Sequence, residues 1–158
     1  MRSLYFAFHY TRDIWRVNQV RQSALVFGPK SVGFSDQSLY EEAKTKGTRA
    51  LQNMIIDGLN GTSVTVVLIG HETASRPWVR FEIEESIRRK NALLGVRIHH
   101  LKNHRGRTDR SGDVPALLRS RGAPIYKWNR DAVALGKWAE EAYRAQIEPR
   151  SFWDRLFG

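Results

Sequence analysis

The sequence predicts an α/β fold in which a central, mostly parallel β-sheet is flanked by helices. Two observations lead to this prediction. Short apolar runs alternate with longer amphipathic segments along the 158 residues, and such an alternation is typical of parallel sheets with right-handed crossovers. The clearest strand, SVTVVLIG at residues 63–70, is apolar at almost every position, as in strands that helices cover on both faces.

The first half of the chain is expected to contain a strand, a helix, a loop and a divided helical region. Aromatic residues favour a strand at 4–10, LYFAFHY, and the near-helical spacing of apolar residues favours a helix at 13–23. Gly, Pro and Ser indicate a loop at 28–38. An apolar stripe at helical spacing covers 39–61, and Gly47 is expected to divide it.

The second half continues the alternation beyond the central strand. In order, the patterns predict a helix, a buried strand, a basic loop, a short strand and an amphipathic helix, at residues 76–90, 92–99, 99–110, 123–128 and 130–147. We interpret residues 1–150 as a single domain and residues 151–158, SFWDRLFG, as an aromatic C-terminal tail.

The charge of the chain favours anionic partners. Lys and Arg number 26 against 16 Asp and Glu, which gives a formal charge of +10. The densest basic run, HHLKNHRGRTDR at 99–110, has no interleaved aromatic residues for base stacking and no recognisable nucleic-acid motif. Nucleic acid is therefore a disfavoured partner. A solvated loop is the favoured interpretation of this run, with contact to phosphate or an acidic partner as the alternative.

Several other classes of protein are disfavoured. The chain has no cysteine, which excludes disulfides and thiolate metal sites and fits a cytoplasmic protein. No apolar run approaches the roughly 20 residues of a membrane span, so no membrane contact is expected. The start, MRSLYFAFHYTRD, is interpreted as a buried strand and not as a signal peptide. His99, His100 and His104 have Asp109 as their only nearby acid, so we expect no metal site.

The segment SRPWVRFEIEES, residues 75–86, contains three glutamates within four positions. Glu84 and Glu85 each have an arginine four residues later, at Arg88 and Arg89. This spacing predicts exposed ion pairs on one helix, each worth a few tenths of a kcal/mol. A solvated helix face therefore accounts for these two glutamates.

Glu82 differs from its neighbours because no cation on its own helix is placed to neutralise it. Trp78 precedes it by four residues, and a carboxylate beside an apolar ring either has a raised pKa or binds a polar ligand. Ligands of parallel sheets bind at the carboxyl ends of the strands, where His9, Tyr10 and Asp36 are also expected. Spacing alone leaves both a structural and a functional role open for Glu82.

Two stretches of the chain resemble a known family. FAFHYTRDIWRVNQVR at 6–21 and TVVLIGHETASRPWVRFEIEESIRRKNALLGVRIHHLK at 65–102 are similar to the Toll/interleukin-1 receptor-like (TIR-like) proteins of bacterial Thoeris antiphage defence. The resemblance covers about the first two thirds of the chain. It implies a flavodoxin-like, TIR-like three-layer sandwich, which agrees with the fold predicted from the periodicities.

The resemblance also implies a site. In the TIR family a tryptophan is followed four positions later by the glutamate that cleaves the nicotinamide–ribose bond of NAD, and this spacing matches Trp78 and Glu82. Val79 stands where the family often has cysteine. Glu82 would be the catalytic residue. The residues that would line the NAD pocket are Phe8, His9, Tyr10, Asp36, Ser75 and Trp78.

The implied activity is production of an ADP-ribose-derived signal, with a cyclic ADP-ribose isomer as the expected product, and with NAD as substrate and no cofactor or metal. Loss of nicotinamide builds oxocarbenium-like charge on the ribose, which a fixed carboxylate stabilises. The resemblance further implies a homo-oligomer and a separate effector protein that the nucleotide signal activates. The alternative is a non-enzymatic TIR-like or receiver-like assembly module that binds protein or nucleotide. His9 and Tyr10 argue against a receiver, which needs an acidic cluster at that position.

Overall fold

The computed structural model describes residues 2–25, 31–33, 42–148 and 156, and a five-stranded sheet forms its centre. The strands are β1 Leu4–Ala7, β2 Ser31–Gly33, β3 Val64–Ile69, β4 Ala92–Arg97 and β5 Ile125–Lys127. Their order across the sheet is β2-β1-β3-β4-β5, and every neighbouring pair is parallel. The predicted parallel α/β fold is confirmed.

Two groups of helices cover the sheet. They are α1 Tyr10–Leu25, α2 Thr48–Leu59, α3 Pro77–Arg88, α4 Ala116–Ser120 and α5 Ala132–Gln146, and a 3-10 turn, Thr73–Ser75, precedes α3. Helix α1 contacts α5, whereas α3 contacts both α2 and α4. Right-handed crossovers place these two groups on opposite faces of the sheet. The central strands β1 and β3 are buried along their whole length, as the unbroken apolar run of β3 predicted.

The first strand is shorter than predicted. Instead of covering 4–10, β1 ends at Ala7 and α1 begins at Tyr10. The backbone N–H of Asp13 donates to the carbonyl of His9, at 3.0 Å, so helical hydrogen bonding starts three residues earlier than the apolar spacing indicated. Aromatic residues favour strands but are tolerated in a first helical turn, which is why composition alone misplaced this boundary.

Two short elements escaped the sequence prediction. The expected loop at 28–38 contains β2, whose three residues pair with Leu4–Phe6 of β1, and α4 follows the basic loop in a segment for which no element was predicted. Neither is long enough to show a periodicity. Gly47 directly precedes α2 and divides the helical region as predicted. The C-terminal tail, apart from residue 156, lies outside the described residues.

A buried ion pair connects α1 to the carboxyl end of β3. Asp13 and Arg16 are 0% and 1% exposed, and Arg16 Nη1 donates to Asp13 Oδ1 at 2.9 Å. The Asp13 carboxylate lies against Gly70, where a Cβ atom would overlap its oxygens. Any side chain at residue 70 would therefore push α1 away from the strand end.

Arg16 also anchors the basic loop at 99–110. Its guanidinium donates to the carbonyl oxygens of Leu101, at 2.8 Å, and Arg107, at 3.1 Å. The side chains of Arg105 and Arg107 remain exposed. The loop is thus solvated at its basic side chains, as predicted, while its backbone is tied to the core.

Arg16→Ala is expected to destabilise the protein by about 3–5 kcal/mol, because it leaves the Asp13 carboxylate buried without its cation. Chemical denaturation measures the change. Arg110→Ala is the matched control, since Arg110 lies in the same loop and is exposed, and it should change stability by less than about 0.5 kcal/mol. Equal stability of the two variants would contradict the structural role assigned to Arg16.

Candidate active site

Glu82 is a buried carboxylate between α3 and β1. It lies on α3 and is 1% exposed. The hydroxyl of Tyr5 donates to Glu82 Oε2 at 2.6 Å, and the backbone of Phe8 forms a further hydrogen bond to the carboxylate. Helix α3 thus places Glu82 against β1, in contact with Tyr5 of the strand and with Phe8, which follows it.

Burial dominates the electrostatics of Glu82. Desolvation raises the pKa of its carboxyl group well above its usual range, and the hydrogen bonds from Tyr5 and Phe8 oppose the shift only in part. The pKa of Tyr5 is also raised, first by burial and then by Glu82, so its hydroxyl remains a proton donor. Within the part of the chain that the structure describes, no cation contributes to the pKa of Glu82.

A charged cluster joins the β1–α1 and β3–α3 connections, and these connections form a mouth at this edge of the sheet. Glu72 accepts from Arg76 at 2.6 Å and lies 3.3 Å from Arg12. His9 Nδ1 is 4.0 Å from Glu72 Oε2. Burial, followed by the charge of Arg76, lowers the pKa of His9, so its imidazole is neutral at pH 7.

Two polar atoms of this mouth are buried without a hydrogen-bond partner among the described residues. They are His9 Nδ1 and Arg76 Nε. Buried donors and acceptors are nearly always satisfied in folded proteins, by protein groups or by ordered water. Water or a polar ligand group would satisfy these two atoms.

The other residues predicted for the pocket have diverse environments. Tyr10 is buried in the first turn of α1, with its ring stacked on Phe8 at 6.0 Å between centroids. Trp78 is half-buried and meets Phe81 edge to face at 5.8 Å. Ser75 is exposed, and its hydroxyl donates to the backbone carbonyl of Glu72 at 2.9 Å.

The backbone of Phe8 thus hydrogen-bonds Glu82, and His9 lies in the charged cluster of the mouth. The Ser75 hydroxyl is used within its own turn. Asp36 lies outside the described residues. Sequence reasoning missed Tyr5, Glu72 and Arg76. Glu72 and Arg76 carry a readable signal, an acidic and a basic residue four positions apart. Tyr5 gave no such signal because its contact joins residues 77 apart in sequence.

Glu84 and Glu85 of α3 use different ion-pair partners from those predicted. Glu84 accepts from Arg80, which precedes it by four residues, at 2.8 Å. Glu85 accepts from Arg88 at 2.6 Å, while Arg89 donates to Asn60 of another segment. Each glutamate had competing arginines within one helical turn, and spacing alone could not choose between them.

The histidines of the basic loop do not form a metal cluster. Within the ranges that the structure describes, no group of three or more His, Cys, Asp or Glu side chains is placed to hold a metal ion. His100 Nε2 lies 2.8 Å from the backbone carbonyl of Trp128. This contact gives the ring a structural role between the basic loop and the end of β5.

A parallel five-stranded sheet with a buried glutamate on the helix after its central strand is an α/β architecture to which TIR-like domains belong. Residues 5–103 match the family described as Thoeris protein ThsB, TIR-like domain. ThsB1 of Bacillus cereus (strain MSX-D12), provisionally described as a cyclic ADP-D-ribose synthase, is 36% identical over 170 residues, covering 99% of this chain and 86% of the relative. The chain belongs to the ThsB family of TIR-like proteins. None of the helices in the described ranges has the length and hydropathy needed to cross a bilayer.

The burial of Glu82 predicts a pH dependence of stability. Because its folded pKa lies above the ordinary value of 4.5, its stabilising contribution is complete below pH 4.5. This contribution is lost as the pH rises through the folded pKa. Glu82→Gln removes the titration and keeps an acceptor for Tyr5.

We therefore expect the free energy of unfolding of the unmodified protein to fall relative to Glu82→Gln as the pH rises above 4.5. Urea denaturation at several pH values measures this difference. Glu84→Gln, at an exposed position of the same helix, should show no such trend. Parallel pH profiles for the unmodified protein and Glu82→Gln would contradict a raised pKa.

Proposed function

We propose that this chain cleaves the nicotinamide–ribose bond of NAD and forms an ADP-ribose-derived signal, a cyclic ADP-ribose isomer, in antiphage defence. Membership of the ThsB family supports the proposal, as does the description of ThsB1 as a cyclic ADP-D-ribose synthase. The structural observation that carries it is the Glu82 carboxyl group, which is desolvated against β1 and has no neighbouring cation among the described residues.

The chemistry suits such a carboxylate. As the bond from ribose to nicotinamide breaks, positive charge develops on the ribose, and an ionised Glu82 would stabilise it in a water-poor site. The ligand's positive charge would also favour ionisation of Glu82, against the effect of burial. Water or a nucleophilic atom of the same molecule then captures the cation, giving linear or cyclic ADP-ribose. Tyr5 would hold the carboxylate in place.

The mouth beside Glu82 would bind the polar parts of NAD. His9 Nδ1 and Arg76 Nε lack partners among the described residues, and hydroxyl or phosphate oxygens of the substrate would satisfy them. Phe8, Tyr10 and Trp78 would supply apolar contacts to the substrate, with Ser75 and Asp36 at the rim. No step of this mechanism is assigned to a metal or a cofactor.

Glu82 is closed to solvent in the single chain, since 1% of the residue is exposed. Substrate entry therefore needs α3 and β1 to separate at this point. We propose that assembly into a homo-oligomer favours this open state, that the chain acts in the cytoplasm, and that its nucleotide product activates a separate effector protein. The absence of cysteine fits a reducing compartment.

The first test is mass spectrometry of NAD incubated with the unmodified protein, Glu82→Gln and Glu84→Gln. The unmodified protein and Glu84→Gln should release nicotinamide and an ADP-ribose species at similar rates. Glu82→Gln should be slower by about 100-fold or more, because it loses the charge that stabilises the transition state. Retention time against linear ADP-ribose separates cyclisation from hydrolysis.

Equal rates for the Glu82 and Glu84 variants would place the chemistry elsewhere. If none of the proteins converts NAD, the same assay in extracts of phage-infected cells decides between a dormant enzyme and the assembly module. Absence of conversion in those extracts as well would overturn the enzymatic proposal.

The closed site also predicts a concentration dependence. Specific activity, the rate per mole of chain, should rise with protein concentration in parallel with the oligomer fraction measured by analytical ultracentrifugation, because assembly would favour the open state. A specific activity that is constant while the oligomer fraction changes would contradict the role given to assembly.

A further inference from the structure

A second site of interest is a cleft at the carboxyl ends of β4 and β5, separate from Glu82. It has a volume of about 640 Å³ and is lined by Arg97, Ser111, Gly112, Asp113, Val114 and Arg119. The cleft is widely open to solvent, and its volume exceeds what a single phosphate ion would fill. None of its lining residues contacts Glu82 or belongs to the mouth around Glu72.

The segment 111–114 forms one wall and is fixed in position. Gly112 lies directly on the chain that follows β3, where a Cβ atom would overlap the carbonyl oxygens of Gly70 and His71. Arg97 Nη1 donates to the carbonyl of Gly112 at 2.8 Å, and His71 Nδ1 lies 3.2 Å from the carbonyl of Ser111. The wall therefore lies at the ligand-binding edge of the parallel sheet.

The two arginines of the cleft retain most of their hydrogen-bonding capacity. Arg97 makes one bond to Gly112, and Arg119 Nη2 makes one to the carbonyl of Val114 at 3.0 Å. A guanidinium has five N–H donors in a fixed plane. Both groups are thus oriented by the backbone while keeping donors for a ligand.

Cationic side chains outnumber acids in the lining of this cleft. Among the described residues, neither Arg97 nor Arg119 takes part in an ion pair, and the same holds for Lys127. Lys127 is the register partner of Arg97 on β5, so both side chains lie on the same face of the sheet. Asp113 is the carboxylate in the lining. The arginines of the Glu72 mouth, by contrast, are paired with acids.

The neighbouring His99 responds to this positive potential. Its pKa is lowered first by burial and then by the charges of His100, Arg97 and Lys127. A fixed concentration of positive charge in a concave surface attracts anions. Guanidinium groups in particular match the oxygens of phosphate in two-point hydrogen bonds.

We infer that the cleft of Arg97 and Arg119 binds the diphosphate group of a nucleotide. The two oriented guanidiniums would contact the phosphate oxygens, Lys127 would add charge at the rim, and the remaining volume would hold the nucleoside. The inference does not depend on the proposed cleavage of NAD. Free ADP and ADP-ribose share this chemistry and are both possible sources of the ligand.

The test is calorimetric titration of the full chain with ADP, ADP-ribose, inorganic pyrophosphate and adenosine. The diphosphates should bind and adenosine should not. Arg119→Gln should weaken ADP binding by about tenfold or more, as loss of a charge-assisted hydrogen bond predicts. Arg121→Gln is the matched control, because Arg121 is exposed two positions away and does not line the cleft; it should bind ADP with unchanged affinity.

Three further results complete the test. Glu82→Gln should bind ADP like the unmodified protein, and Arg97→Lys, which keeps the charge but loses the planar donor pair, should bind it more weakly. A higher affinity for ADP-ribose than for ADP would identify ADP-ribose as the preferred ligand of the cleft. The inference is overturned if no diphosphate binds at millimolar concentration, if Arg119→Gln binds ADP as well as Arg121→Gln, or if Glu82→Gln abolishes the binding.

Discussion

The buried ion pair of Asp13 and Arg16 determines how the carboxyl edge of the sheet is arranged. Removing two charges from water costs several kcal/mol, and such a pair is tolerated when further hydrogen bonds satisfy it. Arg16 meets this condition because it also donates to the carbonyls of Leu101 and Arg107. Its guanidinium thereby joins three segments: α1, the end of β3 through the packing of Asp13 on Gly70, and the basic loop.

This order extends from the core to the candidate site through the next turn of α1. Arg12 precedes Arg16 by four residues, donates to Asp109 of the basic loop at 2.7 Å and lies 3.3 Å from Glu72. Exposed ion pairs are individually weak, since fixing two long side chains offsets most of the attraction. Here Arg12 joins two acids in one network, and a network contributes more than an isolated pair. Glu72 is thus held where it can orient Arg76 beside His9.

The sequence predicted the strongly periodic elements and missed what depends on distant partners. The central strand predicted at 63–70 is Val64–Ile69, and the helix predicted at 76–90 is Pro77–Arg88. An unbroken apolar run is typical of a strand covered on both faces, and a long amphipathic pattern is typical of a helix. Glu82 could be selected from the sequence because no cation on its own helix is placed to neutralise it. Its hydrogen bond from Tyr5 could not be predicted, because a contact between β1 and α3 depends on how these elements pack. The short strand β2 exists through its pairing with β1, which leaves little trace in three residues.

Two carboxyl groups are buried at this edge among the described residues, and they differ in whether a cation lies beside them. Asp13 has Arg16 within 2.9 Å, so a cation offsets part of the effect of burial, which raises the pKa of Asp13. Glu82 has the hydroxyl of Tyr5 and the backbone of Phe8, and no cation. An ion pair at Glu82 would stabilise the resting carboxylate and weaken its attraction for a cation that arrives later. A carboxylate held only by neutral donors keeps that attraction for positive charge that develops on a bound ligand, which is the condition for favouring a transition state over the ground state.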